Sequence, residues 1–470
     1  MNSETSLNAK TITVIIILSS FSSAFLGSAM NIVIPSLSAD LSISAGRVGW
    51  VITVYSLTTC GLSVPFGKLA DATGKNRIFL LGVGILTLSC FATGWVRSFA
   101  LLIVLRILQG VGASMIFATN TAIIVACHPP QQRGKAIGHM LSGTYVGLAS
   151  GPVLAGVLNQ WFGWHSVFFA TAAVGAAALI PACRYLPVKE RQPLPGQSPG
   201  QPGPSAGKQP DIAGNLLFIA MITCGMYGFA SIGRGWWPFA LIAAGILLGF
   251  FFVRRELAAD DPVIDVRIFR STPAYTLSNL AALFNYCAIF SIQYFMSLYL
   301  QVDKGYSSQT AGLILICLPV VMASLTSRAG ALSDRIAPYK LATAGMVVCG
   351  CTMIVFSMVQ KETPVWAIVC TLLIAGLGVS LFSSPNMNAI MSCVGREHYG
   401  VASSILATMR TLGQTSGIAI TTIVISARLG DATLAEAPLA DFEGAMRTCF
   451  LISAVICFCG AVMSLKRKDT

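Results

Sequence analysis

Acidic and charged residues are scarce in this chain. Asp and Glu together number 18 among 470 residues, and charged residues of both signs make up 10% of the sequence. Hydrophobic residues make up 55%, and the mean hydropathy is +0.74. Because soluble domains are about one quarter charged, this composition excludes a soluble fold. Apolar segments of about 20 residues recur along the chain, so we expect an all-α polytopic membrane protein.

Motifs that would indicate an enzyme or an ATP-driven pump are also missing. The sequence has no Gly-x-x-x-x-Gly-Lys-Ser/Thr loop for phosphates, and no His-Glu-x-x-His or Gly-x-Ser-x-Gly element for hydrolysis. The 14 Cys residues lie in or beside apolar segments without a His or a second Cys pair at metal-binding spacing. We therefore expect no enzymatic activity, no metal, no cofactor and no use of ATP.

Fourteen apolar segments are long enough to span a membrane. With the N-terminus in the cytoplasm, roughly three times as many Lys and Arg residues lie inside as outside, so we expect both termini in the cytoplasm. The net charge of +12 is then explained by topology and an anionic inner leaflet, without nucleic acid. We expect a multi-pass protein of the plasma membrane, which is the inner membrane in bacteria. The predicted spans are roughly 11–37, 47–66, 77–96, 100–127, 136–158, 164–186, 212–232, 236–253, 275–300, 310–328, 341–359, 364–392, 400–427 and 443–465.

A short charged turn with a Gly-x-x-x-Asp core occurs twice, each time between two apolar runs. Such a turn used twice in a membrane chain predicts two related halves, which is the architecture of many secondary transporters. The first copy contains Gly67, Asp71, Gly74, Lys75 and Arg77, and the second contains Gly330, Asp334 and Arg335.

One stretch differs in composition from the rest of the chain. Residues 187–211 are rich in Pro, Gly, Gln and Ser, which predicts a disordered, extended linker. We therefore expect a six-helix bundle, this cytoplasmic linker, a two-helix insertion, a cytoplasmic connection and a second six-helix bundle. Their predicted bounds are 1–186, 187–211, 212–253, 254–274 and 275–470.

Several further patterns carry a family resemblance. Residues 105–113 surround Arg106 with a Gln and two Gly, and span five places Gly147, Gly151 and Pro152 in a Gly-rich run. An Arg-x-x-Gly element begins at Arg410, and two loop patterns cover 262–270 and 299–312. Together with the two charged turns, these patterns resemble the fourteen-span drug:proton antiporter branch of the major facilitator superfamily, a group of multidrug efflux proteins.

This resemblance implies the major facilitator fold and transport by alternating access in exchange for protons, with the proton gradient as the energy source. It also implies gating or coupling roles for the residues that match the motifs. These are Gly67, Asp71, Gly74, Lys75, Arg77, Arg106, Gly147, Gly151, Pro152, Asp334, Arg335 and Arg410.

The sequence departs from that branch in span one, where Gly27 occupies the position that usually carries an Asp. All 18 acidic residues fall in loops or at the ends of predicted spans, so no carboxylate is expected inside the bilayer core. A cavity lined by Arg106 and Arg410 without acids would be net positive. We therefore expect neutral or anionic amphiphiles to be favoured over multivalent cations. The alternative for Arg106 is an arginine neutralised by helix carbonyl groups, without a role in transport.

A proton carrier is consequently missing from its usual place. The remaining candidates are Asp71, Asp334, His139 in span five and His165 at the start of span six. The alternative for each His is an interfacial position without a coupling role. Asp71 is followed by Ala72 where the family usually has an Arg, which leaves the nearby cations of the turn as its partners.

Polar and aromatic side chains near the middle of the spans are candidates for substrate contact. The alternative for each is interhelical hydrogen bonding. They are Asn31, Tyr55, Asn120, Tyr145, Asn285, Gln293, Tyr294, Asn386 and Asn388.

The sequence thus predicts a secondary active transporter that exports small amphiphilic molecules, either drug-like compounds or metabolites, across a lipid bilayer. Two alternatives remain open. One is an uncoupled or differently coupled metabolite transporter, favoured by the missing Asp, and the other is a non-transporting membrane sensor of the same fold.

Overall fold

The computed structural model describes five stretches of the chain: residues 3–42, 49–186, 211–232, 235–429 and 439–469. Within them every regular element is helical, and no strand is present. Sixteen α-helices lie in these stretches, numbered here in chain order. They are α1 Ser3–Asp40, α2 Trp50–Thr73, α3 Lys75–Thr93, α4 Phe99–Cys127, α5 Arg133–Phe162, α6 His165–Tyr185, α7 Ile212–Ala230, α8 Trp237–Ala258, α9 Ile268–Ser271, α10 Pro273–Val302, α11 Ser308–Leu315, α12 Cys317–Ser333, α13 Pro338–Ser357, α14 Val365–Ser392, α15 Tyr399–Leu429 and α16 Leu439–Leu465.

Thirteen stretches among the described residues are long and apolar enough to cross a membrane, and α11 and α12 together count as one of them. They account for thirteen of the fourteen predicted spans. The other, predicted over 400–427, is the 31-residue helix α15, which is long enough to cross but is not among the thirteen. Arg410, Gln414 and several Ser and Thr residues lower its hydropathy. Polar side chains of this kind are tolerated in a membrane where a helix lines a wet cavity.

The two charged turns are shorter than predicted, because most of their residues are helical. Helix α2 continues through Gly67 and Asp71 to Thr73, and only Gly74, with φ of +107°, breaks the backbone before α3 begins. Gly330 likewise lies within α12, and Asp334 is the residue at which that helix ends. The apolar runs ended where the charges began, but the helices continue because charged residues at a membrane surface are compatible with helix.

Helix α5 packs against α1 through its glycines, as the sequence indicated. A Cβ added to Gly147 would lie 2.6 Å from the carbonyl oxygen of Phe21, and one added to Gly151 would overlap the hydroxyl of Ser28. Pro152 follows on the exposed side of α5 without ending the helix. The two backbones therefore lie in direct contact, which small residues permit in membrane helices.

The predicted linker lies outside the described residues except for its last residue, Asp211. The Asp211 side chain accepts a hydrogen bond from the Gly214 amide at 2.9 Å and so caps α7. It also pairs with Arg255 near the end of α8, at 2.7 Å. Helices α7 and α8 pack against each other, and α7 contacts both α2 and α15. The inserted hairpin therefore lies beside the junction of α2 with α15.

Candidate functional site

Asp71 joins the end of α2 to the beginning of α15. Its two carboxylate oxygens accept hydrogen bonds from the backbone amides of Gly400 and Val401, at 2.8 and 2.9 Å. Lys75 lies 3.0 Å from the same carboxylate. A carboxylate at a helix N-terminus satisfies amides that have no partner within the helix and interacts favourably with the helix dipole. Arg77 is exposed and does not share this contact, so Lys75 is the cation of the turn that pairs with Asp71.

Asp334 repeats this arrangement between the end of α12 and the beginning of α5. Its oxygens accept hydrogen bonds from the backbone amides of Gly134 and Lys135, at 2.7 and 3.0 Å. Burial raises the pKa of Asp334, and the two amide hydrogen bonds oppose that rise. Arg335 is exposed, and no ion pair to Asp334 occurs among the described residues, so backbone amides alone hold this carboxylate.

Glycines let the helices approach closely at both of these contacts. A Cβ added to Gly67 would lie 2.7 Å from the carbonyl oxygen of Gly400, and one added to Gly400 would lie 2.6 Å from that of Gly67. Gly134 and Gly330 are in equally close contact. Because Cβ atoms essentially never come within 3.0 Å of another heavy atom, any side chain here would push the helices apart. We call these two contacts the Asp71 latch and the Asp334 latch, their end of the molecule the latch end, and the opposite end the far end.

Two further hydrogen bonds connect the N-terminal helices α1–α6 with the C-terminal helices α10–α16 beyond the latches. The Tyr145 hydroxyl donates to Ser383 at 2.9 Å, joining α5 to α14. The Ser403 hydroxyl donates to the carbonyl oxygen of Phe117 at 2.8 Å, joining α15 to α4. The two groups of helices are thus in direct contact beyond the latches as well.

A small cavity lies between these two groups of helices. The guanidinium carbon of Arg410 is 4.7 Å from the centre of the Phe117 ring, a cation–π contact at its wall. Arg410 is the charged residue of the lining, which among the described residues contains no Asp or Glu. The lining consists of Phe117, Asn120, Thr121, Met140, Leu141, Thr144, Tyr286, Met387, Ser403, Leu406, Ala407 and Arg410.

Arg106, the second arginine expected to line the cavity, is not part of this lining. Its Nε donates to the carbonyl oxygen of Val51 at 2.8 Å, and its Nη1 donates to the Gln109 side chain at 2.8 Å. The guanidinium also lies over the ring of Tyr55, 4.5 Å from its centre. Arg106 is 1% exposed, and both it and Tyr55 are enclosed between α2 and α4. The positive charge at the cavity therefore comes from Arg410 alone.

The remaining candidates for substrate contact differ in their surroundings. Asn120 lines the cavity and bonds to Ser20 at 3.2 Å. Asn386 and Asn388 form interhelical hydrogen bonds instead, to the Ser278 carbonyl oxygen and the Ser333 hydroxyl. On α10, Asn285 is buried, whereas Gln293 and Tyr294 are exposed. The side chain of Asn31 lies outside the described part of the chain.

Neither candidate His lines the cavity. His139 is half-buried in α5. His165 lies within hydrogen-bond distance of the Val96 carbonyl oxygen, at 3.2 Å, and stacks on Trp164 with ring centres 3.7 Å apart. Within the described ranges no group of three His, Cys, Asp or Glu side chains is arranged to hold a metal ion.

Sequence reasoning missed several cavity residues. Phe117 and Tyr286 are large aromatic residues in apolar helices, where packing is the ordinary explanation, and nothing local distinguishes them. Ser403 carried a usable signal, because Ser403, Ala407 and Arg410 recur at the spacing of one helix face. That stripe of small and polar residues ending in an arginine predicts a face turned away from lipid.

Two groups of membrane helices, joined by equivalent latches at one end and enclosing a cavity between them, define the class of protein. They are the features of a secondary transporter with two related halves around a central site. A family model for the Major Facilitator Superfamily matches residues 16–418 and, in a second match, 279–470. The chain belongs to this family of transporters, as its motifs predicted, and it is a multi-pass protein of the bacterial inner membrane.

Similar proteins include both metabolite and drug transporters. The chain is 28% identical to the riboflavin transporter RibZ of Clostridioides difficile over 96% of each chain. It is also 28% identical to the multidrug resistance protein Stp of Mycobacterium tuberculosis, over 85% of this chain and 73% of that protein. The solved structure of the human organic anion transporter MFSD10 matches 98% of this chain and 100% of its own, with a TM-score of 0.66 and 14% identity. That structural match concerns the fold alone.

Proposed function

We propose that this protein exports small amphiphilic molecules by alternating access, with the latch end and both termini in the cytoplasm. Helix α15 would be the fourteenth span, and two six-helix bundles, 1–186 and 275–470, would move against each other around the cavity. The excess of Lys and Arg in loops at the latch end supports this orientation. The close contacts at that end make this conformation one in which the cytoplasmic side is closed.

The position of Arg410 is the observation that carries the proposed substrate preference. A single guanidinium at the cavity, without an acid in the described lining, attracts anions and disfavours multivalent cations. The rest of the cavity lining, which includes Phe117 and Tyr286, is neutral and mostly apolar, and it suits a molecule that is largely apolar or aromatic. The relatives named for riboflavin and for multidrug resistance support small organic substrates, either metabolites or drug-like compounds.

Proton exchange is the proposed source of energy, without ATP, metal or cofactor. The Gly151-Pro152 element, which resembles the antiporter signature, supports this coupling. Gly27 in place of the usual Asp favours instead an uncoupled or differently coupled transporter. Since neither the cavity lining nor the nearby described residues supply a carboxylate, the carboxylates of the Asp71 and Asp334 latches are the proposed carriers.

A dye series in proteoliposomes tests the proposed preference. We expect wild-type protein to transport an anionic and a neutral amphiphilic dye faster than a dicationic dye of similar size. Arg410→Ala should slow the anionic dye by about tenfold, since a charge-assisted hydrogen bond between a guanidinium and an anionic ligand stabilises the bound state by about 1.4 kcal/mol or more. The neutral dye should change little.

Arg428→Ala is the matched control. Arg428 lies on the same helix as Arg410 but is exposed near its far end, where it bonds to Thr448 at 3.2 Å. The proposed role of Arg410 would be contradicted if transport of the anionic dye fell equally in both variants, or if Arg410→Ala left it unchanged. Adding a protonophore distinguishes proton antiport from uncoupled transport. It abolishes accumulation by a proton antiporter and leaves uncoupled movement unchanged.

A further inference from the structure

The far end of the molecule holds a buried carboxylate that neither the latches nor the cavity uses. Asp303 directly follows α10 and is 7% exposed. Both of its carboxylate oxygens are buried without a hydrogen-bond partner among the described residues. A buried carboxylate without a donor is costly in its ionised form, so it calls for an explanation.

Three elements meet around Asp303, and the charged groups that face it are Lys304 beside it, Lys361 in the loop between α13 and α14, and Glu443 on α16. Lys304 donates through its ammonium group to the Lys361 carbonyl oxygen. The Lys361 amide donates to the Glu443 carboxylate at 3.1 Å. The Lys304 ammonium and the Glu443 carboxylate are thus engaged with the backbone of the loop, and neither forms a hydrogen bond with Asp303.

Tyr299 completes this cluster one turn earlier on α10. Its hydroxyl donates to the Gln360 carbonyl oxygen at 2.7 Å, which ties the helix to the same loop. The Lys304 ammonium lies 6.0 Å from the centre of the Tyr299 ring. Glu362 and Tyr306 are the other titratable groups near Tyr299. The far ends of α10, α16 and the loop from 358 to 364 are therefore held together around Asp303.

Burial, a negative neighbour and the helix dipole all favour the protonated form of Asp303. Burial comes first, followed by the negative charge of Glu443, and together they raise the pKa of Asp303 to about 6 against the opposing effect of Lys361 and Lys304. The carboxylate also lies at the C-terminus of a 30-residue helix, where the helix dipole disfavours a negative charge. The two latch carboxylates differ from Asp303, because each accepts hydrogen bonds from two backbone amides.

We propose that Asp303, facing Glu443, is a proton-binding switch that makes the packing of α10 against α16 and the intervening loop depend on the pH of the medium at the far end. When Asp303 binds a proton from that medium, the repulsion between the two carboxylates disappears and the three elements pack tightly. When it releases the proton, the buried charge loosens them. In the proposed orientation the far end faces outward, so the switch registers external acidity.

The stability of the purified protein tests this proposal independently of transport. Because the pKa of Asp303 is raised on folding, its proton stabilises the fold below about pH 4, and this contribution is lost as pH rises through about 6. Asp303→Asn carries a permanently neutral side chain. We expect its unfolding temperature, relative to wild type, to be higher at pH 7.5 than at pH 5 by on the order of 2 °C.

Asp441→Asn is the matched control, since Asp441 is an exposed acid two residues from Glu443. It should show the same pH dependence as wild type. An offset between wild type and Asp303→Asn that is equal at pH 5 and pH 7.5 would overturn the proposal.

Infrared difference spectra between pH 5 and pH 7.5 give a second readout that does not depend on unfolding. Because Glu256 is a second buried carboxyl group, the spectra are recorded in a Glu256→Gln background. There the carbonyl band of a protonated carboxylic acid should titrate near pH 6 and be absent when Asp303→Asn is added. In Glu443→Gln its midpoint should move to lower pH, because a negative neighbour has been removed. A band that titrates near pH 6 with the same amplitude after Asp303→Asn would exclude this residue, whether or not the protein transports the dyes tested above.

Discussion

Arg106 and Arg410 have the same side chain in apolar helices but different surroundings. Arg106 donates to a carbonyl oxygen and an amide side chain and is covered by the Tyr55 ring. Arg410 lies at a cavity wall with the Phe117 ring beside it. A buried arginine without a counter-ion is stable only where such partners replace water. Arg106 therefore ties α4 to α2, and Arg410 is the arginine that the proposed ligand would meet.

Gly27 offers a test of charge at a single position. A Cβ added there would meet no atom within 4 Å, so an Asp can be accommodated without displacing a neighbour. We expect Gly27→Asp to raise the ratio of cationic to anionic dye transport by roughly tenfold, equivalent to about 1.4 kcal/mol of differential binding. Gly27→Asn, which has the same size without the charge, should leave the ratio unchanged. A similar ratio for both variants would show that this position does not influence the cavity.

At the scale of elements, the two latches use the same chemistry on different helix pairs. Each places an Asp at the end of one helix against the first amides of another, with a Gly pair closing the gap. Each spans the two groups of helices, so neither can persist if the latch end opens. In the proposed mechanism the latches stabilise the conformation closed at this end relative to the open one, because a local contact made in one state biases a two-state equilibrium.

Asp71→Asn and Asp334→Asn should have similar effects for this reason. An amide side chain can accept from one backbone N–H, but its own NH2 group then faces the second. Losing one of the two hydrogen bonds that the charged carboxylate accepts costs about 1.5 kcal/mol, so we expect each variant to transport about tenfold more slowly in proteoliposomes. Asp265→Asn, at an exposed acid of the cytoplasmic connection, is the control. Wild-type rates for Asp71→Asn would remove any special role for the first latch.

Sequence patterns predicted the helices and the latch acids, but not the partners of those acids. The Gly-x-x-x-Asp repeats identified Asp71 and Asp334 because local residue types carry that information. Gly134 and Gly400 could not be recognised as the receiving positions, since they are remote in sequence and are defined only by how the helices cross. For the same reason the sequence could not decide whether Arg106 lines the cavity or is satisfied by carbonyl groups within the N-terminal helices. A motif gives the residue and its helix, and packing decides which way its side chain faces.

At the scale of the whole molecule, the charge distribution links topology with function. The described ion pairs lie at the latch end or between α7 and α8 near that end. Among them, Lys68 pairs with Asp261 at 2.6 Å and attaches the connection after the inserted hairpin to α2. The cavity retains one cation, and the far end retains the buried Asp303. The described ion pairs thus hold helices together at the latch end, whereas Arg410 lies at the cavity and Asp303 is buried at the far end.

Counterflow in proteoliposomes is the measurement that tests alternating access through this cavity most directly. Vesicles are loaded with unlabelled anionic amphiphile, and uptake of the labelled compound is followed over time. We predict a transient overshoot with wild-type protein that is strongly reduced by Arg410→Ala and retained by Arg428→Ala. Binding of the labelled compound without an overshoot would contradict transport and would favour a sensor of the same fold.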